Sequence, residues 1–198
     1  AFFHLTMTTT FAPSAASPSR SGRYTSTAMA LHWVLALALI GIFGFGLYMT
    51  GLPFSPARLK YYNWHKWAGM TILILSALRL LWRFTHRPPA LPEAVTRTMP
   101  AWQHLAHHGV HHLMYALFFV VPLLGWAYSS AAGFPIVLFG VLPLPDLVAK
   151  NPELAEALKP WHGYAAYTLA ALVVLHVAAV IKHQVIDRDG LLKRMLPG

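Results

Sequence analysis

The sequence predicts an all-α integral membrane protein, a bundle of four transmembrane helices with both termini cytoplasmic. Three observations lead there. Apolar residues make up 57% of the 198-residue chain and charged residues only 11%, far from the balance of a soluble domain. The apolar residues gather into runs long enough to cross a bilayer core of about 30 Å, which takes about 20 helical residues. Lysine and arginine then divide unequally between the two sides that four crossings define.

Residues 1–23 are rich in Thr, Ser, Ala and Pro and lack a helical period, so a disordered tail is expected ahead of one membrane domain, 24–198. Arg20 and Arg23 follow that polar stretch instead of preceding an apolar core, and no cleaved signal is expected. The first span, about 28–50, carries no charge and has His32 near its start. Gly41, Gly44 and Gly46 follow, small enough for a neighbouring helix or a flat macrocycle to approach the backbone. Pro53 and Pro56 mark a short loop.

The second span, about 64–84, has His65 at its entrance beside Lys66 and Trp67. Arg79 and Arg83 stand one turn apart at its far end, where they can reach headgroups or the carboxylates of a cofactor. A polar linker with Pro88, Pro89 and Pro92 leads to His104, His107, His108, His111 and His112. The i,i+4 pairs in that cluster could hold a metal, but no Glu follows the first His as in a zinc protease, and an interfacial cluster is the simpler reading. The third span, about 113–130, contains Pro122, where a kink is expected.

Residues 134–147 are apolar but carry Pro135, Pro143 and Pro145, which predicts a membrane-hugging loop instead of a span. A polar, short-helical stretch over 150–159 continues it. The fourth span, about 161–182, holds His162 and His176 with no charge between them, and a basic tail closes the chain.

Ten Lys and Arg (Arg20, Arg23, Arg79, Arg83, Arg87, Arg97, Lys182, Arg188, Lys193, Arg194) fall on the side of the termini and five (Arg58, Lys60, Lys66, Lys150, Lys159) on the other. Positive charge is retained on the cytoplasmic side, so both termini are expected there. The formal charge of +9 would suggest nucleic acid in a soluble protein. Here the basic residues flank apolar runs, and anionic lipid headgroups are the expected partner.

There is no cysteine, which excludes disulfides, thiolate-held iron–sulfur clusters and covalent haem attachment in this chain. Histidine is the remaining abundant ligand. His162 and His176 differ by only about 40° in direction and stand about 21 Å apart along one helix face. With odd spans running outward and even spans inward, His65 comes level with His162 and His32 with His176. Each pair could clamp a haem iron from both faces, giving two non-covalent b-type haems. Four unrelated buried or interfacial histidines would account for each singly, but not for the matched depths, and polar groups are costly in lipid.

From about Tyr24 to Pro197 the chain resembles the prokaryotic cytochrome b561 family. The resemblance is carried by Ala30-Leu31-His32-Trp33, by Trp64-His65-Lys66 with Arg79-Leu80-Leu81-Trp82-Arg83, by Tyr115-Ala116-Leu117-Phe118 with Pro122, and by the His162 to His176 spacing. It implies a four-helix bundle in the bacterial inner membrane, two b-type haems each held by two histidines, and electron exchange with ubiquinone. In some members the outer haem takes electrons from superoxide. The histidines around His107 to His112 and the long polar amino-terminal stretch depart from the family pattern.

Two haems in line would form an electron path across most of the membrane. At its outer end Arg58, Lys60 and Lys66 could concentrate a small anion, or could simply contact lipid headgroups. At its inner end His183, two turns beyond His176 on nearly the same face, could hydrogen-bond a quinone carbonyl or sit solvated. Three function classes remain open from the residues: a quinone oxidoreductase acting alone, a haem-bearing anchor relaying electrons for a soluble dehydrogenase or hydrogenase, and a transporter of protons or metal ions.

Overall fold

The computed structural model describes residues 22–196; most of the expected tail, residues 1–21, lies outside the described residues. Four long helices are long and apolar enough to cross a membrane. In chain order the elements are α1 Ser26–Thr50, α2 Pro56–Thr85, a short α3 Glu93–Thr98, α4 Ala101–Ala131, a two-stranded hairpin of β1 Val137–Leu138 and β2 Leu142–Pro143, and α5 Pro152–Lys182. Three of the four long helices begin well before the spans read from hydropathy. The difference has a local cause.

Ser55 caps α2 by accepting the Arg58 N–H at 3.2 Å, and Pro56 takes the first helical position, where its missing N–H costs nothing. Asn151 caps α5 in the same way through Leu154 N at 3.1 Å, with Pro152 next, and the helix then runs through Pro160. The helix α4 starts at Ala101, after Pro100 and without a side-chain cap, so all five histidines of the 104–112 cluster are helical, and it continues through Pro122. Hydropathy finds the part of a helix inside lipid; capping decides where the helix starts. The stretch read as a polar linker holds α3, and the apolar 134–147 loop folds as the hairpin, with Phe139 (φ 53°) and Gly140 (φ 76°) in its turn.

The helices pack α1 on α2, α2 on α4 and α4 on α5, while α1 barely grazes α5 and α2 scarcely touches it. A small core of Leu35, Ile72, Leu117, Phe118 and Leu169 closes the middle of the bundle. Most other apolar side chains point outward, among them Leu37, Ile40 and Val174, each at least 60% exposed, as lipid-facing residues must.

The two ends are tied differently. At the termini end the last residues fold back across the bundle. Arg194 donates to the carbonyls of Gly22, Pro89 and Ala90, and Trp33 Nε1 donates to Met195 O at 2.7 Å. At the opposite end the hairpin is latched to α2: Trp67 Nε1 donates to Val137 O at 2.7 Å, and Lys66 Nζ to the carbonyls of Phe134 and Pro135 at 3.3 Å each.

Candidate haem sites

The structure brings the four intramembrane histidines together as two pairs. Near the hairpin end, His65 of α2 faces His162 of α5, with ring centres 6.2 Å apart and planes at 86°. Near the termini end, His32 of α1 faces His176 of α5 at 6.4 Å and 68°. Both pairs span the helix gaps that protein packing leaves loose, α2 to α5 and α1 to α5. The apolar core, with Leu169 midway between His162 and His176, separates them.

The spacing can be tested against a bis-imidazole iron site. Two metal–nitrogen bonds of roughly 2 Å each, plus about 1 Å from each ring nitrogen to its ring centre, place the ring centres about 6 Å apart. Both pairs fit. His111 of α4 also approaches His176, but at 5.1 Å and edge-on, too close for a flat macrocycle to lie between them. Its Nδ1 donates to His107 O at 2.6 Å, which holds the ring on its own helix.

At the hairpin-end pair the local sequence makes room for the rings. A Cβ on Gly46 would stand 3.2 Å from Cε1 of His65, so a side chain there would push this ring off α1 by a few tenths of an ångström. Gly125 plays the same part on α4 for His162. One turn earlier on that helix, Val121 O accepts a hydrogen bond from His162 Nδ1 at 3.0 Å. A carbonyl can only accept, so Nδ1 carries the hydrogen and Nε2 is the nitrogen left to ligate, the arrangement typical of metal-binding imidazoles. His65 Nδ1 is buried with no hydrogen-bond partner among the described residues. An unpaired buried polar group costs about 1–3 kcal/mol, so packing alone is a poor reason for a histidine at that position.

The other expected site residues are placed as follows. Arg79 Nε donates to the Tyr115 hydroxyl at 3.0 Å, and the guanidinium groups of Arg79 and Arg83 both lie over the Tyr115 ring. They thus stand on the α4 side of the termini-end pair. Arg58 donates to the Tyr62 hydroxyl at 3.3 Å, Lys60 lies over Trp64, and Lys66 is held by the hairpin carbonyls. Of those three, Lys66 is the most committed to structure. His183 follows α5 directly and is held by Asp189. Within the 104–112 cluster, Nδ1 of His111 and of His112 bond carbonyls of their own helix.

Sequence reasoning missed Val121, Gly125, Tyr115 as the partner of both arginines, and Asp189. Gly125, a small residue inside a bulky apolar run, and Asp189, a scarce acid in a turn sequence, carried the only signals.

A family model described as prokaryotic cytochrome b561 matches residues 23–198, which include all four long helices and both histidine pairs. The chain is 32% identical over 176 residues to cytochrome b561 homolog 2 of Escherichia coli (strain K12), covering 88% of this chain and 91% of that protein. It is 30% identical over 179 residues to a probable superoxide oxidase, CybB, of Yersinia pestis, covering 88% and 96%. Cytochrome b561 homolog 1 of Escherichia coli (strain K12) is 28% identical over 179 residues, at 88% and 97% coverage.

Proposed function

The chain belongs to the prokaryotic cytochrome b561 family of membrane electron-transfer proteins, and we propose that it acts as a di-haem quinone oxidoreductase, carrying electrons from a small anionic donor to ubiquinone. The observation that supports this most is the pair of facing imidazoles at each of two levels of α5, 6.2 and 6.4 Å apart across gaps that protein packing leaves loose. The b-type haem that the family generally binds would supply one-electron carriage at each pair. His65 with His162 and His32 with His176 would be the axial ligands, filling both axial positions.

The remaining roles fall to the chain's own side chains. Val121 fixes the His162 tautomer, and Gly46 and Gly125 admit the rings at the hairpin-end site. Arg79 and Arg83, steadied on Tyr115, offer further guanidinium N–H groups to cofactor carboxylates. The Lys and Arg asymmetry supports a cytoplasmic termini end and a hairpin end facing outward from the bacterial inner membrane. The described bundle and the residues up to 198 form one membrane domain on this reading.

Superoxide is the favoured donor. One relative is named as a probable superoxide oxidase, and Arg58 and Lys60 lie on the first turns of α2, ahead of His65. The balanced reaction takes two superoxide ions, one ubiquinone and two protons to two dioxygen molecules and one ubiquinol. The deciding experiment is the absorption spectrum of the purified protein with and without dithionite, followed by a pyridine haemochrome assay and rapid mixing with superoxide and then ubiquinone. About two haems per chain are expected, reduced by superoxide and reoxidised by quinone. One haem or none would overturn the di-haem reading; reduction only by a co-purifying soluble dehydrogenase or hydrogenase would make the chain a relay subunit.

A further inference from the structure

The end of α5 is not a simple stop. After Lys182 the backbone widens into one π-turn, His183–Asp187, and then reverses through Arg188 (φ 52°) and Gly190 (φ 72°). Single π-turns are uncommon and recur at functional positions. The reversal brings Asp189 back onto the helix it has just left, with Oδ2 at 2.6 Å from Nδ1 of His183; Asp187 Oδ2 lies 3.1 Å from the same nitrogen. The whole chain has six acidic residues, so two of the six converge on one imidazole.

The two carboxylates are not equivalent. Asp187 is paired with Lys182 Nζ at 2.6 Å, an ammonium that stands where a cation would otherwise balance it. Among the described residues Asp189 has no lysine or arginine within ion-pair distance; its Oδ1 accepts the Leu191 N–H at 3.1 Å, and its side chain is only 11% exposed. Asp189 also lines a cavity of about 670 Å³ open to the exterior at the termini end, together with Arg23, Lys193 and Arg194. One carboxylate thus connects an outward-open cavity to the histidine two turns beyond His176. The titratable and charged groups around His183 are Lys182, Asp187 and Asp189 of its own segment, and His107 from α4.

We propose that this cavity, Asp189 and His183 form the proton inlet for quinone reduction at the termini end, an inference that rests on the quinone acceptor proposed above. Quinone gains two electrons from the reduced protein and one proton on each carbonyl oxygen. In each protonation the Nε2–H bond of imidazolium His183 breaks as the quinone O–H bond forms. Asp189 holds the Nδ1 hydrogen and stabilises the imidazolium, and between the two protonations a proton entering from the cavity side restores the vacated Nε2–H. The fold adds to His183 the carboxylate behind it and a cavity open to the exterior.

The test compares two electron acceptors in the haem-loaded, full-length protein. Decylubiquinone needs protons and ferricyanide does not. Asp189→Asn should slow reoxidation by decylubiquinone at least about tenfold relative to reoxidation by ferricyanide in the same sample, and Asp189→Glu should recover most of it. His183→Gln, which keeps an amide N–H for the carboxylates but cannot carry a proton, should show the same selective loss. Independently of turnover, the His183 Nδ1 signal in the imidazole ¹⁵N spectrum should shift in Asp189→Asn, because the 2.6 Å carboxylate contact is lost and only Asp187 at 3.1 Å remains. Equal slowing with both acceptors, or an unchanged quinone rate in either variant, would overturn the inlet and leave the quinone reading standing. Wild-type protein that reduces ferricyanide but never quinone would overturn the quinone reading, and the inlet with it.

Discussion

A Cβ added to Gly125 would stand 3.0 Å from Cε1 of His162, inside the roughly 3.5–4.0 Å at which carbon atoms pack favourably. The imidazole is also pinned by its hydrogen bond to Val121 O, one turn away on the same helix face, so it cannot swing aside without losing that bond. Gly125→Val should therefore displace His162 and lower the haem content from about two to about one per chain. Gly109→Ala, on the same helix with open space around its Cα, should keep both. The pyridine haemochrome assay reads the difference.

The two pairs predict separable losses. His162→Ala should remove mainly the hairpin-end haem and His176→Ala mainly the termini-end haem, since α5 places one histidine in each pair. Reduced-minus-oxidised spectra and a redox titration of each variant check this, with a single one-electron step expected where the wild type has two. A variant that kept both haems would show that the pairing is wrong.

Electron donation at the hairpin end should depend on salt if Arg58 and Lys60 steer an anion. The Debye length falls from about 10 Å at 0.1 M to about 3 Å at 1 M, so the rate of haem reduction by superoxide should fall over that range. Arg58→Gln with Lys60→Gln should lower the low-salt rate several-fold and flatten the salt dependence. Lys66→Gln should act differently: its ammonium is held by Phe134 O and Pro135 O, so the expected effect is a lower melting temperature with a small change in rate.

His183→Ala should slow electron exchange between haem and quinone while leaving both haem spectra in place. It lies seven residues beyond His176, about 10 Å along the helix, too far to act as ligand at that level. Stopped-flow reoxidation by quinone measures the effect, and unchanged kinetics would return His183 to a solvated helix end.

Hydropathy and spacing along one chain carried much of this protein. Membrane class, four crossings and the stacking of His162 over His176 follow from local rules, because a helix sets the direction and rise of every residue on it. Helix starts were less legible: Ser55-Pro56 and Asn151-Pro152 are capping signals that hydropathy cannot see, and they extend α2 and α5 beyond their apolar runs. Which residues meet across helices was decided only by tertiary packing. Gly125 lies 37 positions from His162 in sequence and Tyr115 lies 36 from Arg79, and nothing in a one-dimensional pattern states how α4 rotates against its neighbours. Asp189 meets His183 because a π-turn and two left-handed residues reverse the chain, a path set by a few backbone torsions that no hydrophobic period encodes.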